Sequence, residues 1–374
     1  MKHKRELAPL IAIAVILLGL SIGSFLAPDV AFSANENRYL QLMPEFSLKK
    51  LMSGDFTKKM EDYTSDQIVL RDFWTGSRSI MQRAMGYQDI GGVWLGEDGY
   101  YFSKMTEDTF DRGNYEKNLS HVEDFFAANS DKDCRILLAP TPGSVMFDEL
   151  PYGAAMYNEI FYDDYACYEQ LSDTFGDQAI LTQAALRHRA AEEQVYYRTD
   201  HHWTAQGAYV AYRCWCDSTD HEKKEYPLTA VSDSFRGTLY SKVLLPDSVY
   251  DTVSIAEDVT IRSMDCDGTV RDSIYDLSTL QEKDHYKVYM GGNHAKAVID
   301  TGADTGRTLL VVKDSFANSF IPYLAAEYDT ITVVDLRYCR EKMQDLADDC
   351  SDILVLYEMT NFASDSNLFK LNRK

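Results

Sequence analysis

No C-x-x-C pair occurs anywhere in this 374-residue sequence, and that absence removes the zinc ribbons. There is no internal repeat and no low-complexity tract. Positive charge is scarce, with 37 Lys and Arg against 59 Asp and Glu and a net charge of −22. A surface of that sign repels phosphodiester backbones, which argues against nucleic acid as a partner. It suits a neutral substrate such as a glycan, though acidity alone identifies none.

Apolar residues make up 45% of the chain, enough to bury a sizeable core in one large α/β domain or two small ones. Lys2, Lys4 and Arg5 precede an apolar run from Ala8 to Ala27 that carries no charge. A helix needs about 20 apolar residues to span a bilayer, and a basic flank belongs on the cytoplasmic side. Residues 1–28 therefore predict a transmembrane signal anchor, single-pass in the cell membrane, with the remainder outside. The alternative is a cleaved signal peptide, with small residues at Ala31 to Ala34 as the cut. Both readings export the rest of the chain. The seven cysteines are Cys134, Cys167, Cys214, Cys216, Cys266, Cys339 and Cys350. Their odd count and scattered spacing favour isolated thiols, with at most one disulfide.

Residues 29–55 read as a polar extracytoplasmic linker and 56–374 as the globular domain. A helical pattern runs from Phe56 to about Met85, with Phe56, Met60, Tyr63, Ile68, Leu70, Phe73 and Trp74 suiting one broad face. Val93 to Leu95 and Tyr100 to Phe102 flank Glu97-Asp98-Gly99, a hairpin signal. A helix follows from Asn114 to about Ala128. Short apolar runs predict buried strands at Arg135–Ala139, Ala179–Leu181, Leu309–Val312, Thr330–Val334 and Ile353–Leu356. Helical stretches alternate with them, so the expected fold is α/β, a mostly parallel sheet with helices on both faces. Residues from about 217 to 284 break the rhythm and predict an irregular insertion with short strands.

Two places carry chemistry. The first is Tyr197-Arg198-Thr199-Asp200-His201-His202-Trp203-Thr204. Val195 to Arg198 reads as a strand end, and Thr204 can cap a helix from Ala205 to about Cys214. Ligands bind at the carboxyl edge of open α/β sheets. In extended chain, residues two apart face the same way, so Asp200 and His202 share a side. A carboxylate beside an imidazole fixes its tautomer and stabilises its protonated form. The second place is Leu309 to Phe316, a buried strand ending in Asp314-Ser315 before an apparent helix to about Ala326. Ser315 then sits at a helix start, where unpaired N–H groups favour negative charge. A serine needs a base to act as a nucleophile; His202 is the candidate, with Asp200 as its orienter. Other readings stay open at this point: Ser315 as a plain N-cap, and Asp200 with His201 or His202 as half a metal site, with His285 and His294 as distant ligands.

Asp200-His201-His202-Trp203 resembles the signature of the DHHW family of bacterial exported proteins. These are similar to the alginate O-acetyltransferases of the J and X type, which carry an SGNH-hydrolase-like domain. Glu36-Asn37-Arg38, Asp66-Gln67, Arg71-Asp72, Gly96 to Phe102, Phe235-Arg236-Gly237, Tyr240-Ser241-Lys242, Gly291-Gly292-Asn293-His294 and Tyr357-Glu358 fit the same resemblance. Lys313 departs from it, standing where the hydrolase pattern has Gly.

The resemblance implies a catalytic triad of Ser315, His202 and Asp200. It implies an extracellular O-acetyltransferase working through an acetyl-serine, with a polysaccharide as acceptor and a membrane-bound O-acyltransferase as donor. No cofactor and no metal are implied. Oxyanion or substrate candidates are Tyr357, Asn293, Asn318, Trp203 and Arg198, with the Ser315 N–H as a further donor. Water in place of sugar would make the protein an acetylesterase. A non-catalytic glycan-binding or scaffold protein, favoured by Lys313, and a metal-dependent deacetylase are the other classes.

Overall fold

The computed structural model describes residues 2–33, 35, 38–106, 109–152, 154, 164–219 and 221–373. The chain divides into two compact units, residues 1–90 with 241–248, and residues 91–240 with 249–374. The boundary expected at residue 55 does not coincide with this division.

In the first unit, helix α1 (Lys2–Leu26) is apolar over Pro9–Leu26, long enough to cross a membrane. The single helical pattern expected from Phe56 to Met85 is two helices, α2 (Asp55–Asp66) and α3 (Arg71–Ala84). Leu70 breaks them apart, because its left-handed backbone (φ 60°) cannot continue a helix. One motif of the resemblance, Asp66-Gln67, acts here as a tie. Asp66 accepts from the Gln41 N–H, and the Gln67 amide bonds the N–H and C=O of Val30 and the C=O of Gln41. Of Glu36-Asn37-Arg38, the first two lie outside the described residues.

The second unit opens with the expected hairpin, β1 (Val93–Leu95) against β2 (Tyr101–Ser103). Helix α4 (Arg112–Ala128) leads into β3 (Asp133–Ala139), and α5 (Tyr165–Phe175) follows. Helix α6 (Ala205–Thr219) starts where expected, with Thr204 Oγ1 accepting from the Gly207 N–H as its cap. Then come β4 (Leu228–Phe235), β5 (Asp251–Ala256), β6 (Ser263–Cys266), β7 (Thr269–Arg271), β8 (Lys296–Asp300), β9 (Thr308–Lys313), β10 (Thr330–Val334) and β11 (Asp352–Glu358).

Among the described residues the main sheet has seven strands in the order β7-β6-β8-β10-β9-β11-β3. The pairs β10/β9, β9/β11 and β11/β3 are parallel. The pairs β8/β10, β8/β6 and β6/β7 are antiparallel. The sheet is therefore mixed, which corrects the mostly parallel expectation. The reason lies in the segment expected to be an irregular insertion. Its β6 and β7 are joined by a tight turn at Asp267-Gly268; β6 pairs onto β8 and β7 onto β6, as an antiparallel extension. The run at Ala179–Leu181 contributes only one bridge, from Ala179 to Ile136.

Side chains alternate across the sheet. Leu309, Val311, Leu354 and Leu356 face a core with Trp203, Phe316 and α6. Leu310, Val312, Ile353, Val355 and Tyr357 face the opposite core, built with α4 and α5. Six of the seven cysteines are buried and Cys214 is half-buried.

Candidate functional site

The parallel half of the sheet delivers Ser315. Strand β9 ends at Lys313, and Asp314 makes the turn. Its Oδ1 accepts from the Phe316 N–H at 2.9 Å, while Oδ2 accepts from the Glu358 N–H and the Asn361 amide. The ends of β9 and β11 are thereby tied together at the residue before Ser315. Burial pushes the Asp314 carboxyl upward. The helix after Ser315 is a single turn, Ala317–Phe320, continued by a tighter turn over Ile321–Leu324. It is shorter than the sequence predicts, and a helix of that length contributes little dipole.

His202 arrives from a loop, and the segment Val195 to Arg198, expected as a strand end, makes only one isolated bridge there. Residues 195–204 form a tight hairpin in which Tyr196 bridges Trp203, Tyr197 N–H donates to the His202 C=O and Thr204 N–H donates to the Val195 C=O. This hairpin is no part of the main sheet. Its tip carries Asp200 and His201.

His202 Nδ1 lies 2.6 Å from Asp200 Oδ1, and its Nε2 lies 2.8 Å from Ser315 Oγ. Residues 113 apart in sequence are joined in one hydrogen-bonded line. The line fixes the tautomer: Nδ1–H donates to the carboxylate, and bare Nε2 accepts from the serine hydroxyl. His202 and Asp200 are buried, while Ser315 is partly open. The Tyr286 ring stacks on the His202 ring at 3.8 Å and 9°. Its hydroxyl donates to the Ser315 C=O, so one tyrosine steadies both partners.

Asp200 is saturated. Oδ1 accepts from the His202 N–H and Nδ1–H, and Oδ2 accepts from the Thr238 N–H and hydroxyl. Four donors meet the roughly four lone-pair sites of a carboxylate. Burial pushes its pKa up, but the pull of His201 and His202 and these bonds outweighs burial and holds it far below the usual carboxylate range. Gly237 makes the arrangement possible: a Cβ there would stand 2.3 Å from Asp200 Oδ2. Asp200, His201 and His202 place one potential metal ligand atom each within 4.8 Å of one another. The atoms are already committed, however. Beyond the four donors on Asp200, His201 Nδ1 bonds Thr238 Oγ1 and His202 Nε2 bonds Ser315. This donor set does not fit an ion without breaking the line. The suggested distant ligands lie elsewhere, His285 on Ser232 Oγ and His294 on the Met290 C=O.

The other candidates separate by place. Asn293 and Asn318 meet at Lys313, whose ammonium donates to Asn293 Oδ1 at 2.9 Å and Asn318 Oδ1 at 2.6 Å. Their oxygens cage the lysine, which burial brings down to about 8 against the pull of Asp335 and Asp314. Gly291 and Gly292 take positive φ (74° and 99°) in the turn that carries Asn293 to this cage. Trp203 is fully buried and donates from Nε1 to the Phe316 C=O and Ser319 Oγ, so it props the turn after Ser315. It presents no face for stacking on a sugar. Arg198 lies over the Tyr100 ring, with its guanidinium carbon 5.3 Å from the centroid. Tyr357 points to the opposite sheet face, packs edge-on against Phe362, and its buried hydroxyl has no partner among the described residues. The strand alternation that sends Glu358 toward the site sends Tyr357 away from it.

A cleft borders the line, walled by Phe102, Thr141, Gly143, His201, Phe316 and Glu358. His201 and Phe316 are the sequence neighbours of His202 and Ser315. Burial pushes the Glu358 carboxyl up to about 7, even though its Oε2 accepts from Thr360 Oγ1 and the Asn361 N–H. Sequence reasoning missed Tyr286, Thr238 and Asp314 as supports. Gly237 and Glu358 were visible within short motifs, without a role.

The family model described as DHHW protein matches residues 165–334, just under half of the chain. Among curated proteins none matches. Among solved structures, a DHHW family protein from Eubacterium siraeum is 22% identical, with a TM-score of 0.61, over 76% of this chain and 96% of its own. Bacillus cereus PatB1, solved with a sulfonyl adduct, is 19% identical, with a TM-score of 0.58, over 75% of this chain and 98% of its own. A looser likeness, TM-score 0.46 and 17% identity, is to the O-acetyltransferase domain of Pseudomonas putida AlgJ, over 73% of this chain and 93% of that one. The Asp200-His201-His202-Trp203 signature thus lies within a stretch that matches the DHHW family, on a fold shared with a solved DHHW protein, and the resemblance read from the sequence holds.

Proposed function

We propose that this protein is an extracytoplasmic serine O-acetyltransferase of SGNH-like type, held at the membrane by α1 and acting on a polysaccharide. The observation that supports this most is the unbroken hydrogen-bonded line Ser315–His202–Asp200. Ser315 Oγ attacks the acyl carbonyl carbon while His202 Nε2 takes its proton, and Asp200 stabilises the imidazolium. The oxyanion is received by the Ser315 N–H, since the Phe316 N–H is engaged by Asp314. When the tetrahedral centre collapses, the donor's oxygen leaves with the proton from His202, and Ser315 carries the acetyl group. A sugar hydroxyl then attacks this ester as His202 takes its proton. The second collapse expels Ser315 Oγ, which recovers the proton, and an acetylated sugar departs. The acetyl donor in this reading is supplied by a membrane-bound O-acyltransferase.

The cleft beside His201 gives the acceptor a place with Thr141, Thr360 and the Glu358 carboxyl at its wall. Water in the same place would give an acetylesterase, and the acceptor decides between the two.

PatB1 carries a sulfonyl adduct, and sulfonyl fluorides are the matching probe here. The purified protein is expected to take one such label on Ser315, cleave a chromogenic acetyl ester, and transfer acetyl to an added oligosaccharide. Absence of label and of both reactions would sink the proposal. Hydrolysis without transfer to any of a panel of oligosaccharides would leave the esterase reading.

A further inference from the structure

Helix α3 (Arg71–Ala84) is amphipathic with its faces reversed. Among its side chains the buried ones are Gly76 and Ser79, and a Cβ on Gly76 would stand 3.0 Å from the Leu244 C=O. The apolar stripe points outward. Phe73, Trp74, Ile80 and Met81 fall at the i, i+1, i+7 and i+8 positions of one helical face, with Leu70 and Met85 at the two caps, and all six are exposed. Phe73 is 59% and Met81 63% exposed. A helix that sinks its small residues and presents its large apolar ones is built for a second apolar phase.

The place of that phase is fixed by α1. Ser24, in the last turns of the apolar span Pro9–Leu26, accepts from the Val69 N–H at 3.0 Å. A Cβ on Gly23 would touch the Val69 side chain at 3.4 Å. Trp74 donates from Nε1 to the Val69 C=O. The start of α3 is therefore stapled to the outer end of a membrane-crossing helix, at the depth where tryptophan concentrates in bilayers. We propose that α3 is an interfacial helix, lying on the bilayer beside the end of α1 with Phe73, Trp74, Ile80 and Met81 among the lipid chains. The occupant of its apolar face is lipid. The continuity of the stripe with the end of the span supports lipid over a protein partner, because a lone apolar face at that depth meets lipid first. This inference rests on the anchor reading of α1 and is independent of the chemistry at Ser315.

The test uses the full chain in phosphatidylcholine vesicles. Of the four tryptophans, Trp94, Trp203 and Trp215 are buried in the second unit, so the emission lost in Trp74→Phe reports α3. The expected result is that this component is blue-shifted, loses at least half its intensity when bromines are placed on the upper acyl chain, and resists aqueous iodide. A component quenched by iodide and indifferent to bromolipid overturns the proposal. One indifferent to both is covered by protein and overturns it as well. Should Trp74→Phe express poorly, Met81→Trp read against the parent chain gives the same comparison. Vesicle flotation separates the two readings: floating protein with unquenched Trp74 refutes the interfacial helix alone, and protein that fails to float refutes the anchor too. Labelling of Ser315 is unaffected by either outcome.

Discussion

Ser315 and His202 sit 2.8 Å apart and are held by opposite means. The serine stands at the end of a regular strand in the parallel half of the sheet, where each backbone pair of β9 with β10 and β11 fixes its place. The histidine stands on a hairpin outside that sheet and is held by polar side chains: Asp200 under Thr238, with Tyr286 against its ring. A ladder of many backbone bonds loses little when one side chain changes. A saturated carboxylate loses its whole arrangement, because each orphaned buried donor costs about 1–3 kcal/mol. Substitutions should therefore damage the histidine side through geometry and the serine side through chemistry alone.

The largest expected effect is that of Ser315→Ala. Acetyl transfer falls on the order of 10⁴-fold or more, while the thermal midpoint stays within a few degrees, as measured by calorimetry. A collapse of stability would mean that the serine side is the fragile one. Next is Asp200→Asn, expected to cost on the order of 10⁴ in kcat by favouring the wrong tautomer. It should lower stability as well, since the amide keeps one accepting oxygen and its NH2 can accept from neither Thr238 nor His202, whichever it faces. Gly237→Ala probes the same side without removing a polar group. Its Cβ has no room beside Asp200, so activity should drop about 100-fold through misplacement, with about 1–3 kcal/mol lost. Urea unfolding and the acetyl-transfer rate, measured together, check this pair of effects.

A smaller effect is expected from pH. The Glu358 carboxyl is raised to about 7 by burial, from an ordinary value of 4.5. In the unfolded chain the proton leaves near 4.5 and in the folded chain near 7. Stability is thus lost as pH rises between these values, by up to about 3 kcal/mol, and the full loss persists above 7. Glu358→Gln should flatten that slope, so that melting curves of the two proteins diverge from pH 4.5 to 7 and run parallel above it. Curves parallel throughout would place the Glu358 pKa near its ordinary value. The smallest effect belongs to Tyr357→Phe. Its hydroxyl has no partner among the described residues and faces the other core, so stability should stay within about 0.5 kcal/mol and transfer should be unchanged. A 100-fold loss of transfer would return Tyr357 to the oxyanion site.

Much of the parallel half was legible, because buried strands announce themselves as short runs of β-branched and aliphatic residues. The runs at Thr330–Val334 and Leu309–Val312 fall within a residue or two of β10 and β9. The antiparallel half was legible only as an insertion with short strands, without its pairing. Strands β6 and β7 contain Asp265, Asp267 and Arg271 within or beside them, and their strand character comes from pairing, β6 onto β8 and β7 onto β6. The helical stripe of α3 was legible as a period, but the period says only that a face exists. Whether that face turns inward or outward depends on what packs behind Gly76.

The sequence alone determined the types and spacing of the chemical groups at the site: a carboxylate two residues before an imidazole, and a serine at the end of a buried strand. These follow from local chain geometry, which every stretch of backbone obeys regardless of its surroundings. Tertiary structure decided which atoms meet. It brought Ser315 to His202, gave Asp200 its partner in Thr238, turned Tyr357 away, and caged Lys313 between two asparagines. Such contacts join segments distant in the chain, and their partners are selected by packing and by the need to satisfy buried polar groups, for which no local pattern of residues exists.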